Sequence, residues 1–189
     1  MQMTPMDGHH DAVEEDHKHP SKEFEGETWT FNHLQPFAMR ISVPLDGVGP
    51  TDVDVVVLFT NHCYSREVEP GEAVNERHIV LDGNTRRLMD SIRYELSLKH
   101  LPQLVHSLDT RRIKPSRENF VTLELEPSVP GEEPRNYAMF FDVIKDRKRK
   151  KRLLLRVKSA YVLERPLTKR ELGEKPIRFH VLLKRALNS

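Results

Sequence analysis

The sequence predicts a single α+β domain, a curled antiparallel β-sheet of about five to six strands packed against a bent helical hairpin, with elements in the order ββααββββ. Three observations predict it. Short apolar runs separated by Pro, Gly, Asp and Asn recur from Trp29 onward, the pattern of strands joined by turns. Only residues 86–108 space their apolar side chains in helical steps of three and four. The strand-like runs after them follow at short intervals, which favours an antiparallel meander over parallel units with long crossovers.

Residues 37–45 form the first strand, and Asp46-Gly47-Val48-Gly49-Pro50 reads as its turn. Residues 53–60 are β-branched and almost continuously apolar, which suits a central strand covered on both faces. A loop region follows, with Ile79-Val80-Leu81 as a short apolar piece between Pro70-Gly71 and Asp82-Gly83-Asn84. In 86–108, Leu88, Ile92, Leu96, Leu101, Leu104, Val105 and Leu108 share one face. Pro102 lacks a backbone donor and suits the first turn of a new helix, so two helices are expected to meet at Leu101-Pro102. Strands are expected at 120–126, 137–143, 153–162 and 177–183, with the basic run 145–152 as a hairpin tip between the second and third.

Residues 1–27 hold too few apolar side chains to offset the entropy of ordering them, and read as a disordered acidic, His-rich tail ahead of a domain at 28–189. His9, His10, His17 and His19 lack the regular spacing of a metal site. Lys and Arg number 30 against 29 Asp and Glu, but the near-balance conceals an acidic tail and a basic tip. No apolar run approaches the ~20 residues of a membrane span, and the N-terminal residues lack a secretory pattern. With the single Cys63, these features lead to an expected cytoplasmic protein without a membrane partner. Gly-rich phosphate loops, G-x-S-x-G, H-E-x-x-H and CxxC motifs are absent, so nucleotide hydrolases, serine hydrolases and zinc proteases find no support, and no cofactor is expected.

The densest polar cluster beside a buried strand is Thr60-Asn61-His62-Cys63-Tyr64-Ser65-Arg66. His62 has the chemistry of a general base, and Cys63 that of a nucleophile if its thiol were acidified. Neighbours in an extended chain point to opposite faces, so a His62/Cys63 dyad is not expected, and a small buried Cys63 is the plainer reading. On the first helix Arg93 and Ser97 lie four residues apart, with His100 seven beyond Arg93 on the same side. With His62 and Tyr161 they make a set able to hold a phosphate and move a proton; a solvated helix face is the alternative. Lys145, Arg147, Lys148, Arg149, Lys150, Lys151 and Arg152 in the tip suit phosphate contacts, near Tyr137, Phe140, Phe141 and Tyr161, which have rings able to stack bases. The competing role for such lysines is to keep a sheet edge from pairing with other chains. Period two places Phe140 and Phe141 on opposite faces.

The segments Phe59-Thr60-Asn61-His62-Cys63-Tyr64-Ser65-Arg66, Arg93-Tyr94-Glu95-Leu96-Ser97 with Leu101-Pro102, Ser159-Ala160-Tyr161-Val162 and Lys175-Pro176-Ile177-Arg178-Phe179 resemble a family of short bacterial proteins described only as hypothetical. The resemblance spans about residues 53–183. It implies a bacterial origin with an association to mobile elements and brings no activity. In element order alone the chain is also similar to the barnase, colicin and RelE type of small ribonuclease, a likeness from which no catalytic residue transfers. The function expected is binding or metal-independent cleavage of RNA or another polyanion, with His62, Arg93, Ser97 and Tyr161 lining the site. The alternative is a non-enzymatic regulatory or protein-interaction module whose acidic tail masks the basic hairpin.

Overall fold

A computed structural model of the protein describes residues 4–5, 17–45, 47, 49–115, 118–127, 133–149, 151–165 and 175–189. The central sheet has six strands. In chain order they are β1 (Thr4–Pro5), β4 (Phe37–Leu45), β5 (Gly49–Phe59), β10 (Asn119–Leu125), β11 (Arg135–Lys145) and β12 (Arg152–Val162). Between them lie a hairpin of β2 (Lys22–Phe24) and β3 (Glu27–Trp29), and a small sheet of β6 (Ser65–Glu67), β7 (Ile79–Asp82) and β8 (Thr85–Met89). Helix α1 (Ser91–His106) follows, and β9 (Arg112–Ile113) pairs with β13 (Ile177–Arg178) ahead of the last helix, α2 (Phe179–Asn188).

The expected central strand is central. β5 lies between β4 and β12, and Val53 together with 55–59 is buried, so both of its faces are covered as its unbroken apolarity requires. The sheet, in spatial order β1-β4-β5-β12-β11-β10, is mixed rather than wholly antiparallel, because β12 runs parallel to β5, with Asp54 beside Arg152 and Phe59 beside Val157. A parallel neighbour needs a long crossover. Here everything from β6 to β11 fills that connection, and β12 enters the sheet ahead of the strands that precede it in sequence.

The expected helical hairpin is one helix of 16 residues with Pro102 inside it. Asp90 caps it by accepting the Arg93 N–H at 2.8 Å, and Leu101, Leu104 and Val105 enter the core. Pro102 leaves the Leu98 carbonyl without its helical donor, and because Leu98 is exposed, water can take that place. Pro102→Ala restores the donor and removes the ring clash; it is expected to raise stability by about 1–3 kcal/mol in urea unfolding, whereas a loss would mean that the ring itself is needed for packing.

The last expected strand, 177–183, is also corrected, since only Ile177–Arg178 is strand and α2 begins at Phe179. Phe179, Leu182, Leu183 and Ala186 are buried at helical spacing. The same segment also satisfies period two through Ile177, Phe179, Val181 and Leu183, and the helix wins because it places four of its side chains in one apolar contact. The order ββααββββ is replaced accordingly.

Within the segment expected as tail, Lys22–Phe24 and Glu27 belong to the β2–β3 hairpin, turned by Glu25 and Gly26, both at positive φ (50° and 86°), the geometry of a type I′ turn. Phe24 and Trp29 pack ring to ring at 4.1 Å and join a core shared by the sheet and both helices. The Trp29 ring stacks on Tyr94 of α1 at 4.2 Å and 6°. His9 and His10 lie outside the described residues. No helix among the described residues is long and apolar enough to cross a membrane.

Candidate functional site

The polar segment that follows β5 forms a short 3-10 turn, Asn61–Cys63, anchored to the sheet by Thr60, whose N–H donates to the Val157 carbonyl (3.1 Å) and whose hydroxyl donates to that of Lys158 (2.7 Å). His62 and Cys63 diverge there. The Cys63 side chain is fully buried and burial pushes its thiol up to about 12, so it is neither ionised nor accessible. The His62 imidazole turns outward to Asp82 at 2.7 Å.

Beyond the turn, the Ser65 carbonyl is the meeting point of two arginines: Arg87 from β8 donates to it through Nη2 at 3.0 Å, and Arg93 from α1 through Nη1 at 2.9 Å. Arg93 Nη1 donates also to the His62 carbonyl at 3.3 Å, and its guanidinium carbon stands 4.9 Å from the centroid of the Tyr161 ring. Arg66 is held by Glu72 (2.5 and 2.9 Å) and lies 3.5 Å from Asp90.

Ser97 occupies a different environment, fully buried on α1. Its hydroxyl donates to the Tyr94 carbonyl (2.8 Å), so the 2.8 Å contact with His33 must be donated by the His33 Nε2–H. His33 Nδ1 is then a bare acceptor, buried without a partner. Burial, with a smaller contribution from His19 nearby, brings the His33 imidazole down to about 4. As the pH falls below 6.5 the unfolded chain takes up a proton that the folded chain refuses, so stability present above that pH is lost progressively toward pH 4. The shift sets a ceiling of about 3 kcal/mol, and partial exposure of the ring reduces the expected loss to about 1–2 kcal/mol. Urea midpoints at pH 7 and pH 5 measure it. His33→Gln keeps a donor toward Ser97 and should flatten the profile, leaving the share of His19, which burial also lowers.

Arg93 and Tyr161 line a groove of about 1680 Å³ between α1 and the ends of β10, β11 and β12. His62 and Ser97 are not among its walls, so of the four residues expected in one site the fold brings together two. His100, lowered by burial and then by Lys99, is the groove's imidazole. The apolar part of the lining includes Ile92, Leu96, Leu123, Leu125, Phe140 and Val162. Its carboxylates (Asp90, Glu95, Glu124, Glu126, Glu164) equal its strong cations (Arg66, Arg93, Lys99, Arg135, Arg165) in number. Phe140 stacks on Tyr161 (5.4 Å) and meets Phe120 at a tilt (5.5 Å), while Phe141 is in the core, so the two neighbours do face opposite ways.

The basic hairpin tip lies at the far end of β12, about 30 Å from Tyr161 at strand rise. Arg152, expected to contact phosphates, is buried on Asp146 (2.5 Å), whose backbone N–H donates to the Arg152 carbonyl. Lys145 reaches the Leu187 carbonyl at 3.2 Å. Arg147, Lys148, Arg149 and Lys151 are exposed, and Lys150 lies outside the described residues.

Sequence reasoning placed Arg66 in the polar cluster without a role, and missed Arg87 and His33. Arg87 sits in a strand beside Arg86, and nothing in that pair shows which one turns inward. Among the described residues no group of three His, Cys, Asp or Glu side chains is arranged to hold a metal ion. No curated protein and no solved structure matches the sequence. A family model does match, over residues 21–187, and its description is YjaZ family.

Proposed function

We infer that this chain, which belongs to the YjaZ family, is a non-enzymatic binding module whose groove between α1 and β10–β12 receives a segment of another protein. The observation that carries the reading is the groove's lining: apolar side chains interleaved with equal numbers of carboxylates and cations. A polyanion site would carry a surplus of positive charge. A peptide finds there apolar contacts and charges of both signs. The groups with catalytic chemistry support it from the other side, because Cys63 and Ser97 are buried, and the side chain of His62 pairs with Asp82 away from the groove.

Peptides selected from a random display library on the purified chain test this. Ile92 lines the groove and is 65% exposed, so Ile92→Glu should leave the fold intact and weaken the selected peptides about tenfold or more. Arg147→Glu in the tip should leave them unchanged. Peptides indifferent to Ile92→Glu would end the reading.

A second reading rests on the exposed Arg147, Lys148, Arg149 and Lys151, a patch suited to RNA or another polyanion through its phosphates. The acidic residues of the N-terminal segment would compete for it, in the manner of an autoinhibitory tail. RNA affinity that falls with salt and with Arg147→Glu, and not with Ile92→Glu, would favour this over the groove.

A further inference from the structure

We infer that the Arg93 end of the groove is a carboxylate-recognition site, a conclusion that rests on the peptide-binding reading and names the group on the partner segment that the site takes. Arg93 is half-buried and makes no ion pair with another of the described residues. One terminal nitrogen, Nη1, spends its hydrogens on the carbonyls of His62 and Ser65. The other edge of the fork, Nε–H with one Nη2–H, has no partner among the described residues, and two parallel donors of that spacing match the two oxygens of a carboxylate.

The guanidinium is also fixed before any ligand arrives. Two carbonyls hold one nitrogen, and the Tyr161 ring supports the planar face at 4.9 Å. A fork already held in place loses little entropy on binding. Charge adds a second reason. Arg87 and Arg93 donate to the same Ser65 oxygen, and the carboxylates near Arg87 neutralise it only in part: Glu67 is 4.0 Å away and 88% exposed at its side chain, and Asp82 is paired with His62. Burial and the neighbouring Arg93 both disfavour the charge on Arg87. Two cations converging with so little neutralisation favour an incoming anion. Arg66, the third arginine nearby, is already taken by Glu72 and Asp90.

The anion is a carboxylate rather than a phosphate, because the same groove carries Glu95, Glu124, Glu126 and Glu164. A single negative charge tolerates these neighbours better than a doubly charged one. Apolar walls at Ile92, Leu96 and Leu125 suit the rest of a peptide.

The test uses the full chain and three probes at millimolar concentration: acetyl-Leu-Ala-Leu with a free terminal carboxylate, the same peptide amidated, and amidated acetyl-Leu-Asp-Leu with only a side-chain carboxylate. NMR follows the Arg93 side-chain Nε–H and the methyl groups of Ile92, Leu96 and Leu125. At least one carboxylate peptide should shift the Arg93 resonance and bind about tenfold or more tightly than the neutral peptide; which of the two does so identifies the source of the carboxylate. Arg93→Lys should remove most of that preference, since Lys has no fork. Should that variant fail to fold, the comparison of acid with amide on the unaltered protein decides alone. Equal affinity for all three, with methyl shifts, overturns carboxylate recognition and leaves the groove as a peptide site. No methyl shift with any probe overturns both. Inorganic phosphate displacing the acid peptide from Arg93 at equal concentration would overturn the choice of carboxylate over phosphate.

Discussion

Trp29→Ala is expected to cost about 3–5 kcal/mol of folding stability, seen in thermal unfolding as a fall in Tm of roughly 10–15 °C. The indole is 5% exposed and lies between two rings, Phe24 at 4.1 Å and Tyr94 at 4.2 Å. Next to it, the Tyr94 hydroxyl donates to the Thr30 carbonyl at 3.0 Å, and Phe31 packs on Tyr64 at 4.2 Å. These contacts attach residues 22–34 to α1 and to the segment that carries Ser65, so loss of the indole loosens the wall on which Arg93 is mounted. Trp29→Phe keeps a ring against Tyr94 and should recover most of the loss. A cost for Trp29→Ala under about 1 kcal/mol would mean that the hairpin contributes little to the core, contrary to its burial.

Asp146→Ala should cost a similar amount, about 3–5 kcal/mol in urea unfolding, because it takes the buried carboxylate away from the buried Arg152 guanidinium. Burial works against ionisation of the Asp146 carboxyl. The Lys148 N–H (2.8 Å) and Arg152 overcome this and hold it below the usual carboxylate range. A carboxyl depressed in the folded state adds stability above its unfolded pKa and gives it up as the pH falls, so this loss lies on the acid side of the His33 transition. The control is Asp142→Ala: Asp142 and Arg156 pair at 3.0 Å with side chains 27% and 42% exposed, and the cost should stay below about 1 kcal/mol. Asp146→Ala combined with Arg152→Met should recover part of the loss, since the buried positive charge is then removed together with its carboxylate. Equal costs at Asp142 and Asp146 would remove the distinction between a buried and an exposed pair.

The strands were legible wherever one alphabet fitted one element. Residues 37–45 alternate and form β4 with the same bounds, and the apolar run at 53–60 lies in β5 apart from its last residue, because a side-chain period of two survives whatever the strand pairs with. Residues 177–183 satisfied two periods at once, and the choice fell to the packing of Phe179, Leu182, Leu183 and Ala186. Pro102 reads as a boundary in sequence because the local cost of a lost donor is visible there, whereas the core contacts of Leu101, Leu104 and Val105 that carry the helix through it are not.

The candidate site divides along the same line. His62 and Cys63 were separable in sequence, since adjacent side chains diverge, and so were Phe140 and Phe141. Arg93, Ser97 and Tyr161 were recognisable as polar groups beside apolar stretches, but their partners were not. Ser97 turned out to serve His33, 64 residues earlier, and Arg93 to serve the carbonyls of His62 and Ser65. The sequence by itself determined the strand alternation, the presence of helix within 86–108, whose first residues prove to be strand β8 so that Leu88 leaves the expected face, and the divergence of neighbouring side chains, all consequences of backbone geometry within a few residues. Only the tertiary structure decided that β12 lies parallel to β5, that Arg87 and Arg93 share one carbonyl oxygen, and that a charge-balanced groove opens beside α1. Each of these joins segments far apart in the chain, and such contacts follow from the packing of the whole core rather than from any local period.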